Sequence, residues 1–303
     1  MTSSPSNSDL KLTDHAGLLA AIAAFVIWGV FPVYFKLTES ASALEILAHR
    51  IIWSVVFGAV VVQFRKQWSD VKAAVSNRNT LKFLMLATVC IAVNWGFYIW
   101  AVQNDLIFQA SLGYYINPLF FVVIGTVFLK ENLGKYKLLA VIFATIGVAV
   151  LTIYGGQFPW VSMILATSWT GYAVIRKQID VGAMPGLFVE TCLLFLPSLA
   201  YLAYLYTQGN LELFNGSINM KMMLIAAGPI TVIPLLAFTF AAKRLELITL
   251  GFLQFIGPTL QFVVGLAYGE ALTTAHIICF GFIWSAVALF CYDGWRASRI
   301  SLA

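Results

Sequence analysis

Ten apolar stretches follow one another along this chain, near residues 17–37, 43–64, 82–103, 108–129, 135–153, 159–177, 184–206, 221–242, 247–268 and 273–292. Each approaches the roughly 17–25 residues needed to cross about 30 Å of hydrocarbon. No other feature restricts the fold as much. Lipid offers no partner for an open backbone group, so each crossing segment must close its hydrogen bonds internally, as a helix. With 61% hydrophobic and 10% charged residues, the chain has too little charge to cover the surface of a water-soluble domain of this size. The expected fold class is an all-α membrane protein of ten transmembrane helices. The connections are short and leave no room for a soluble catalytic domain.

Lys and Arg give the orientation, because they collect in cytoplasmic loops. With the N-terminus inside, the cytoplasmic regions hold Lys11, Arg65, Lys66, Lys72, Arg78, Lys82, Lys130, Lys135, Lys137, Arg176, Lys177, Lys243, Arg244, Arg296 and Arg299. The outer side holds Lys36 and Lys221, and Arg50 lies within a span. Both termini are therefore expected to be cytoplasmic, in a multi-pass protein of the inner (plasma) membrane. The net charge of +5 reads as topology, and no nucleic-acid partner is expected. Residues 1–16 read as a disordered cytoplasmic tail, without the basic start and short apolar run of a signal peptide. Residues 296–303 read as a second cytoplasmic tail. Cys90, Cys192, Cys279 and Cys291 all fall in apolar segments and are expected to be buried thiols. With His15, His49 and His276 scattered, no metal or other cofactor is expected.

The segment from Ala101 to Glu131 returns about 140 residues later as Ala241 to Glu270. Ser111 falls on Gly251, Tyr115 on Phe255, Ile116 on Ile256 and Pro118 on Pro258, and a one-residue gap brings Glu131 onto Glu270. One unit is thus built twice, as residues 17–154 and 155–295. Five spans per unit is an odd number, so the second copy enters from the opposite side. Such inverted repeats characterise secondary transporters, whose sites lie at the repeat interface near the midplane. A duplicated structural scaffold is the alternative.

The run LKENLGKYKLLAVIFATIGVAVL (129–151) resembles the fourth-helix exit and fifth helix of EamA-type permeases of the drug/metabolite transporter superfamily. WGVFPVYFK (28–36), HRIIWS (49–54), NWGFYIWAV (94–102), SLGYYINP (111–118) and LGFLQFIGPTLQF (250–262) resemble its RarD branch more narrowly, and the likeness covers about residues 17–295. The branch is named for a proposed link to chloramphenicol sensitivity. The resemblance implies ten helices in two inverted repeats, outward movement of small metabolites or amino-acid-like solutes, and helices five and ten at the bundle edge or a dimer contact. It supplies no substrate. The second copy has Ser285–Ala286 where the first has Gly147. Small multidrug relatives in the superfamily couple to protons through a Glu in their first helix. The first span here has no acidic residue, so that mechanism does not carry over.

Arg50 sits about seven residues into the second span, some 10 Å below its outer end at about 1.5 Å per residue. An embedded Arg costs at least about 2.5 kcal/mol and should face the bundle interior or a wet cavity. Its forked donors suit a carboxylate or another anionic group. The alternative is a structural Arg that snorkels outward or pairs with Glu45. Glu190 stands 140 residues after Arg50, at a similar depth from the cytoplasmic side. The pair reads as gate elements, with Glu190 open to a second reading as the carrier of a coupling proton and to a third as a carboxylate satisfied by polar neighbours.

Asn94, Ser111, Tyr114, Tyr115, Asn117 and Gln254, with Gln261 beyond, place amides and hydroxyls near mid-membrane. There they can orient a substrate or join helices. Pro32, Pro118, Pro229, Pro234 and Pro258 are expected to kink or break their helices. Trp28 and Trp95 lie deep enough to stack on a substrate or to fill the core, while Trp100 suits an interfacial belt. No catalytic pair is visible, and no enzyme is expected. The expected protein is a transporter, an exporter by the resemblance, moving a small amphipathic solute by alternating access, as a monomer or homodimer in the bilayer. An uncoupled facilitator of the same fold and a non-transporting receptor or scaffold are the alternatives.

Overall fold

The computed structural model describes residues 7–128, 134–156, 158–242, 244–245, 249–250 and 253–301, with side chains at 7–14, 121–122, 124–128 and 297–301 set aside. Among these residues the secondary structure is entirely helical: α1 (Asn7–Gly29), α2 (Phe31–Leu37), α3 (Ala43–Phe64), α4 (Trp68–Ser76), α5 (Arg78–Gln103), α6 (Ile107–Phe128), α7 (Lys135–Ile153), α8 (Trp160–Lys177), α9 (Ala183–Thr207), α10 (Glu212–Asn215), α11 (Ile218–Ala242), α12 (Ile256–Ala267) and α13 (Thr274–Ser301). Among the described residues, seven segments are long and apolar enough to cross a membrane: His15–Leu37, Ala43–Phe64, Arg78–Gln103, Lys135–Ile153, Ala183–Thr207, Ile218–Ala242 and Thr274–Arg296.

Three expected spans stand apart from those seven. α6 has the length, at 22 residues, but the side chains of its second half fall outside the description. α8 is 18 residues long and ends on Arg176 and Lys177, with Ser, Thr and Tyr diluting its apolar content. α12 has 12 residues, about 18 Å of helix at 1.5 Å per residue, short of the ~30 Å core.

The ends of the expected tails also differ. α1 starts at Asn7, inside the stretch expected to be a disordered tail, and α13 runs to Ser301, beyond the boundary at 296. No Gly or Pro lies between Pro5 and Gly17 to break a helix there. α4 was not expected. It packs on α9 and α5, and the Trp68 indole N–H donates to Gln63 Oε1 at 2.7 Å.

Local sequence sets the helix ends. Ser42 accepts from the Glu45 N–H at 3.2 Å and starts α3, and Asn77 accepts from the N–H groups of Asn79 and Thr80 to start α5. Both are N-cap residues satisfying orphan donors. The chain breaks at Val30, where Pro32 opens α2. Pro118 lies inside α6, and Pro229 and Pro234 lie inside α11. Pro258 differs from its repeat counterpart: it stands in the first turn of α12, where a missing N–H costs no helical bond. Pro197, inside α9, is a further interior proline.

In the bundle α5 lies on α8 and α11 on α1, while α6 lies on α8 and α12 on α1. α3 packs against α9 and α11, α6 against α12, and α7 against α13. Lipid removes the hydrophobic drive between helices, so close approach at small residues matters. A Cβ on Gly228 would stand 2.5 Å from the Trp53 carbonyl oxygen, which brings α11 hard against α3. A Cβ on Gly147 would stand 3.0 Å from the Cys279 carbonyl oxygen. The α7–α13 seam is thus tight from the Gly147 side, although Ser285–Ala286 replaces a glycine in the second copy. All four cysteines are free. Cys279 is buried, Cys90 and Cys291 are half-buried, and Cys192 is exposed on its helix. The expectation that all four are buried thus fails for Cys192, which an apolar surface facing lipid tolerates as it does any other small apolar side chain.

Candidate functional site

Arg50 is buried on the second turn of α3. Its Nε–H donates to Thr231 Oγ1 on α11 at 2.8 Å, and that hydroxyl donates in turn to the Ala227 carbonyl at 2.8 Å. The guanidinium carbon lies 4.0 Å from the Trp95 ring centroid and 5.5 Å from that of Phe31, the geometry of cation–π attraction. The phenols of Tyr114, Tyr34 and Tyr98 are close enough to couple to its charge. Among the described residues no carboxylate pairs with it. Glu45, the partner anticipated for a structural Arg, faces elsewhere: its Oε1 accepts from the Glu212 N–H at 2.8 Å and lies 3.8 Å from His49 Nε2.

Asn94 and Tyr114 adjoin this cluster. Asn94 Nδ2 donates to the Leu165 carbonyl at 3.0 Å and to Ser168 Oγ at 3.1 Å, and Asn94 Oδ1 accepts from the Tyr114 hydroxyl at 3.1 Å. The Tyr114 ring sits 5.6 Å from that of Tyr98, whose buried hydroxyl has no hydrogen-bond partner among the described residues.

Ser111 and Tyr115 serve a different place, the seam between α6 and α12. Ser111 Oγ donates to the Pro258 carbonyl at 2.8 Å, and the Tyr115 hydroxyl meets Thr259 Oγ1 at 2.7 Å. Gln261 Nε2 donates to the Trp28 carbonyl at 3.2 Å. The Trp28 ring packs 5.6 Å from Phe25 and 5.7 Å from Phe238, in the core rather than beside Arg50. Asn117 is buried, with Oδ1 unpartnered among the described residues, and Gln254 is half-buried in the turn before α12. Glu131 and Gly251 of the repeat lie outside the described residues.

Glu190 is fully buried on α9 and does not meet Arg50. Its Oε1 lies 3.6 Å from Arg176 Nε, and its Oε2 accepts from the Tyr172 hydroxyl at 3.1 Å. Arg176 also donates to the carbonyls of Val181 and Gly182 and lies against Gly186, where any Cβ would collide with its guanidinium. Arg176 reads in sequence as one more positive loop residue. A signal for its role lay in the 140-residue offset, which puts Arg176 on Lys36 as it puts Glu190 on Arg50. In the second copy the equivalent charges attract and pair. In the first they are both cations, and Lys36 turns instead to Asp105 at 2.6 Å and Glu39 at 3.7 Å. Thr231, Tyr98 and Tyr34 had no comparable signal, since which hydroxyl meets Arg50 depends on helix rotation.

Glu270, at the exit of α12, accepts from the Phe108 N–H at 3.1 and 3.0 Å with its two oxygens. It caps α6 from 162 residues away. Burial raises its pKa to about 7, with Asp105 adding to the rise and the N–H bonds and Lys36 opposing it. Among the described residues no cluster of three or more His, Cys, Asp or Glu could hold a metal.

A helical bundle of membrane-crossing segments with charges buried between them defines a multi-pass membrane protein. Residues 15–153 match the EamA-like transporter family. A protein of Vibrio cholerae named "Uncharacterized transporter" is 41% identical over 300 residues, spanning 99% of this chain and 98% of its own. "Protein RarD" of Escherichia coli K12 is 41% identical over 292 residues, spanning 96% of this chain and 98% of its own. A crystal structure of a protein 18% identical in sequence superposes with a TM-score of 0.59 over 93% of this chain and 99% of that one, a likeness of fold alone. The chain belongs to the EamA-like transporter family and is a RarD-like permease. It is a membrane transporter by family, and its relatives bear the names of transporters rather than enzymes.

Proposed function

We propose that this protein is an inner-membrane secondary transporter of ten spans, with both termini cytoplasmic. Two inverted five-helix repeats rock around a site beside Arg50, Trp95, Asn94 and Tyr114 and export a small metabolite-like or drug-like solute. One observation carries the reading. Exchanging the halves helix for helix turns the α5–α8 contact into α11–α1 and the α6–α8 contact into α12–α1, and returns the α3–α9, α6–α12 and α7–α13 pairs to themselves. A pseudo-two-fold bundle of this kind has two related packings, which is what alternating access requires. Export is the direction the family resemblance implies. A facilitator without ion coupling fits the same geometry: Glu190 is held by Arg176 and Tyr172, which leaves it no evident need for a transported proton.

Topology and transport are tested separately. Single cysteines replacing Lys72 and Asn210 in a background with Cys90, Cys192, Cys279 and Cys291 changed to Ser should label from opposite sides of the membrane. Labelling from one side refutes the inverted arrangement. Purified protein in proteoliposomes should move a stabilising solute down its gradient, and a receptor or scaffold would move none.

A further inference from the structure

We propose that the Arg50 cluster binds a small organic monoanion, a carboxylate carried on a flat apolar body. The inference rests on the reading of this cluster as the transport site and goes beyond it by naming the charge and shape of the solute.

The comparison of the two halves supplies the argument. Positions 36 and 50 correspond to 176 and 190 at the 140-residue offset. In the second half a buried carboxylate, Glu190, is neutralised by Arg176 and hydrogen-bonded by Tyr172. In the first half the buried charge is Arg50, and its counterpart cation Lys36 is committed to Asp105 and Glu39. The nearest acid in sequence, Glu45, is taken up by the Glu212 N–H. Arg50 therefore keeps a full positive charge, partnered among the described residues by one neutral hydroxyl through Nε and by two aromatic faces.

Rings and phenols soften the cost of that charge but do not cancel it, and buried charges in membranes are otherwise paired. Among the described residues Arg50 hydrogen-bonds through Nε alone, and the two terminal nitrogens of the guanidinium make no hydrogen bond. They form the fork that a carboxylate meets with both oxygens. The Tyr98 hydroxyl, buried and without a hydrogen-bond partner among the described residues, adds a neutral donor. A single positive charge balances a monoanion, whereas a dianionic phosphate would leave a net negative charge in the bilayer. Trp95, Phe31 and Tyr114 offer ring faces and edges to a flat apolar body.

The test is thermal stabilisation of the purified full chain by phenylacetate, phenylacetamide, phenethylamine and phenyl phosphate. Phenylacetate should raise the Tm, and the neutral amide and the amine should not. Arg50→Lys keeps the charge but loses the fork, and should weaken the phenylacetate response ~10-fold or more. Arg50→Met should abolish the response and, with the uncompensated charge gone, leave the ligand-free Tm equal to or above that of the wild type. A structural Arg would instead lower the Tm on replacement.

Stabilisation by the amide or the amine equal to that by phenylacetate overturns the proposal, as does no response to any probe or an unchanged response in Arg50→Lys. Phenyl phosphate acting in place of phenylacetate overturns the monoanion. Proteoliposomes separate the two readings. Arg50-dependent binding of phenylacetate without its movement keeps the anion site and removes the transport role. Movement of a solute that does not depend on Arg50 does the reverse.

Discussion

Glu270→Gln isolates a single titration that joins the two halves of the chain. In the wild type the carboxylate caps α6 through the Phe108 N–H at 3.0–3.1 Å. Two effects compete there. The helix end and its N–H groups favour the anion, while burial disfavours it. Burial wins, because the pKa rises from an ordinary 4.5 to about 7.

The folded state thus holds this proton more tightly than the unfolded chain does. The stabilisation is complete below the unfolded value of about 4.5 and is lost as pH rises through the folded value of about 7. Each unit of pKa is about 1.36 kcal/mol, so the span from 4.5 to about 7 sets a ceiling of roughly 3.4 kcal/mol. Glu270 is partly exposed, and solvent screening reduces this to about 1–2 kcal/mol, a few degrees in Tm for a chain of this size. Gln keeps a carbonyl acceptor for Phe108 and cannot ionise. In matched detergent, the Tm of the variant minus that of the wild type should rise by that amount between pH 5 and pH 8. Groups that do not touch Glu270 are common to both proteins and largely cancel. A difference that stays flat, or one that falls as pH rises, would show that the helix end dominates and would refute the reasoning.

Three further outcomes follow from packing and charge. Gly228→Ala forces a methyl against the Trp53 carbonyl, 2.5 Å from the ideal Cβ position, and should destabilise by about 1–3 kcal/mol; an unchanged Tm would mean the α3–α11 seam can open freely. Arg176→Gln strands the buried Glu190 with the Tyr172 hydroxyl alone and should cost about 3–5 kcal/mol. Adding Glu190→Gln should recover most of that loss, and a double-mutant cycle that proves additive would remove the ion pair from the account. Asp105→Asn breaks the Lys36 pair, but Asp105 is 73% exposed, so the expected loss is under about 1 kcal/mol, read as a Tm shift near zero.

The helices were legible wherever the bilayer dictates the sequence. The spans read at 43–64 and 135–153 coincide with α3 and α7, because only an unbroken apolar run can face lipid. α4 was hidden for the opposite reason: nine residues inside a basic loop carry no membrane-length signal. The apolar run read at 247–268 contains α12, which Pro258 opens rather than bends. The buried positions of Arg50 and Glu190 could be read from a charge set in an apolar run. The partner of Arg50 could not, because Thr231 lies 181 residues away and meets it only once α11 is rotated against α3.

The same contrast explains how a duplicated unit can come to hold an asymmetric site. At position 190 the buried acid is paired with Arg176 on α8. At position 50 the charge is positive, Lys36 pairs with Asp105 at the end of α5, and Arg50 lies among rings and a hydroxyl. One difference in sign between equivalent positions thus separates a half whose buried charge is paired from one whose buried charge has no carboxylate partner among the described residues, the difference on which the proposed anion site rests.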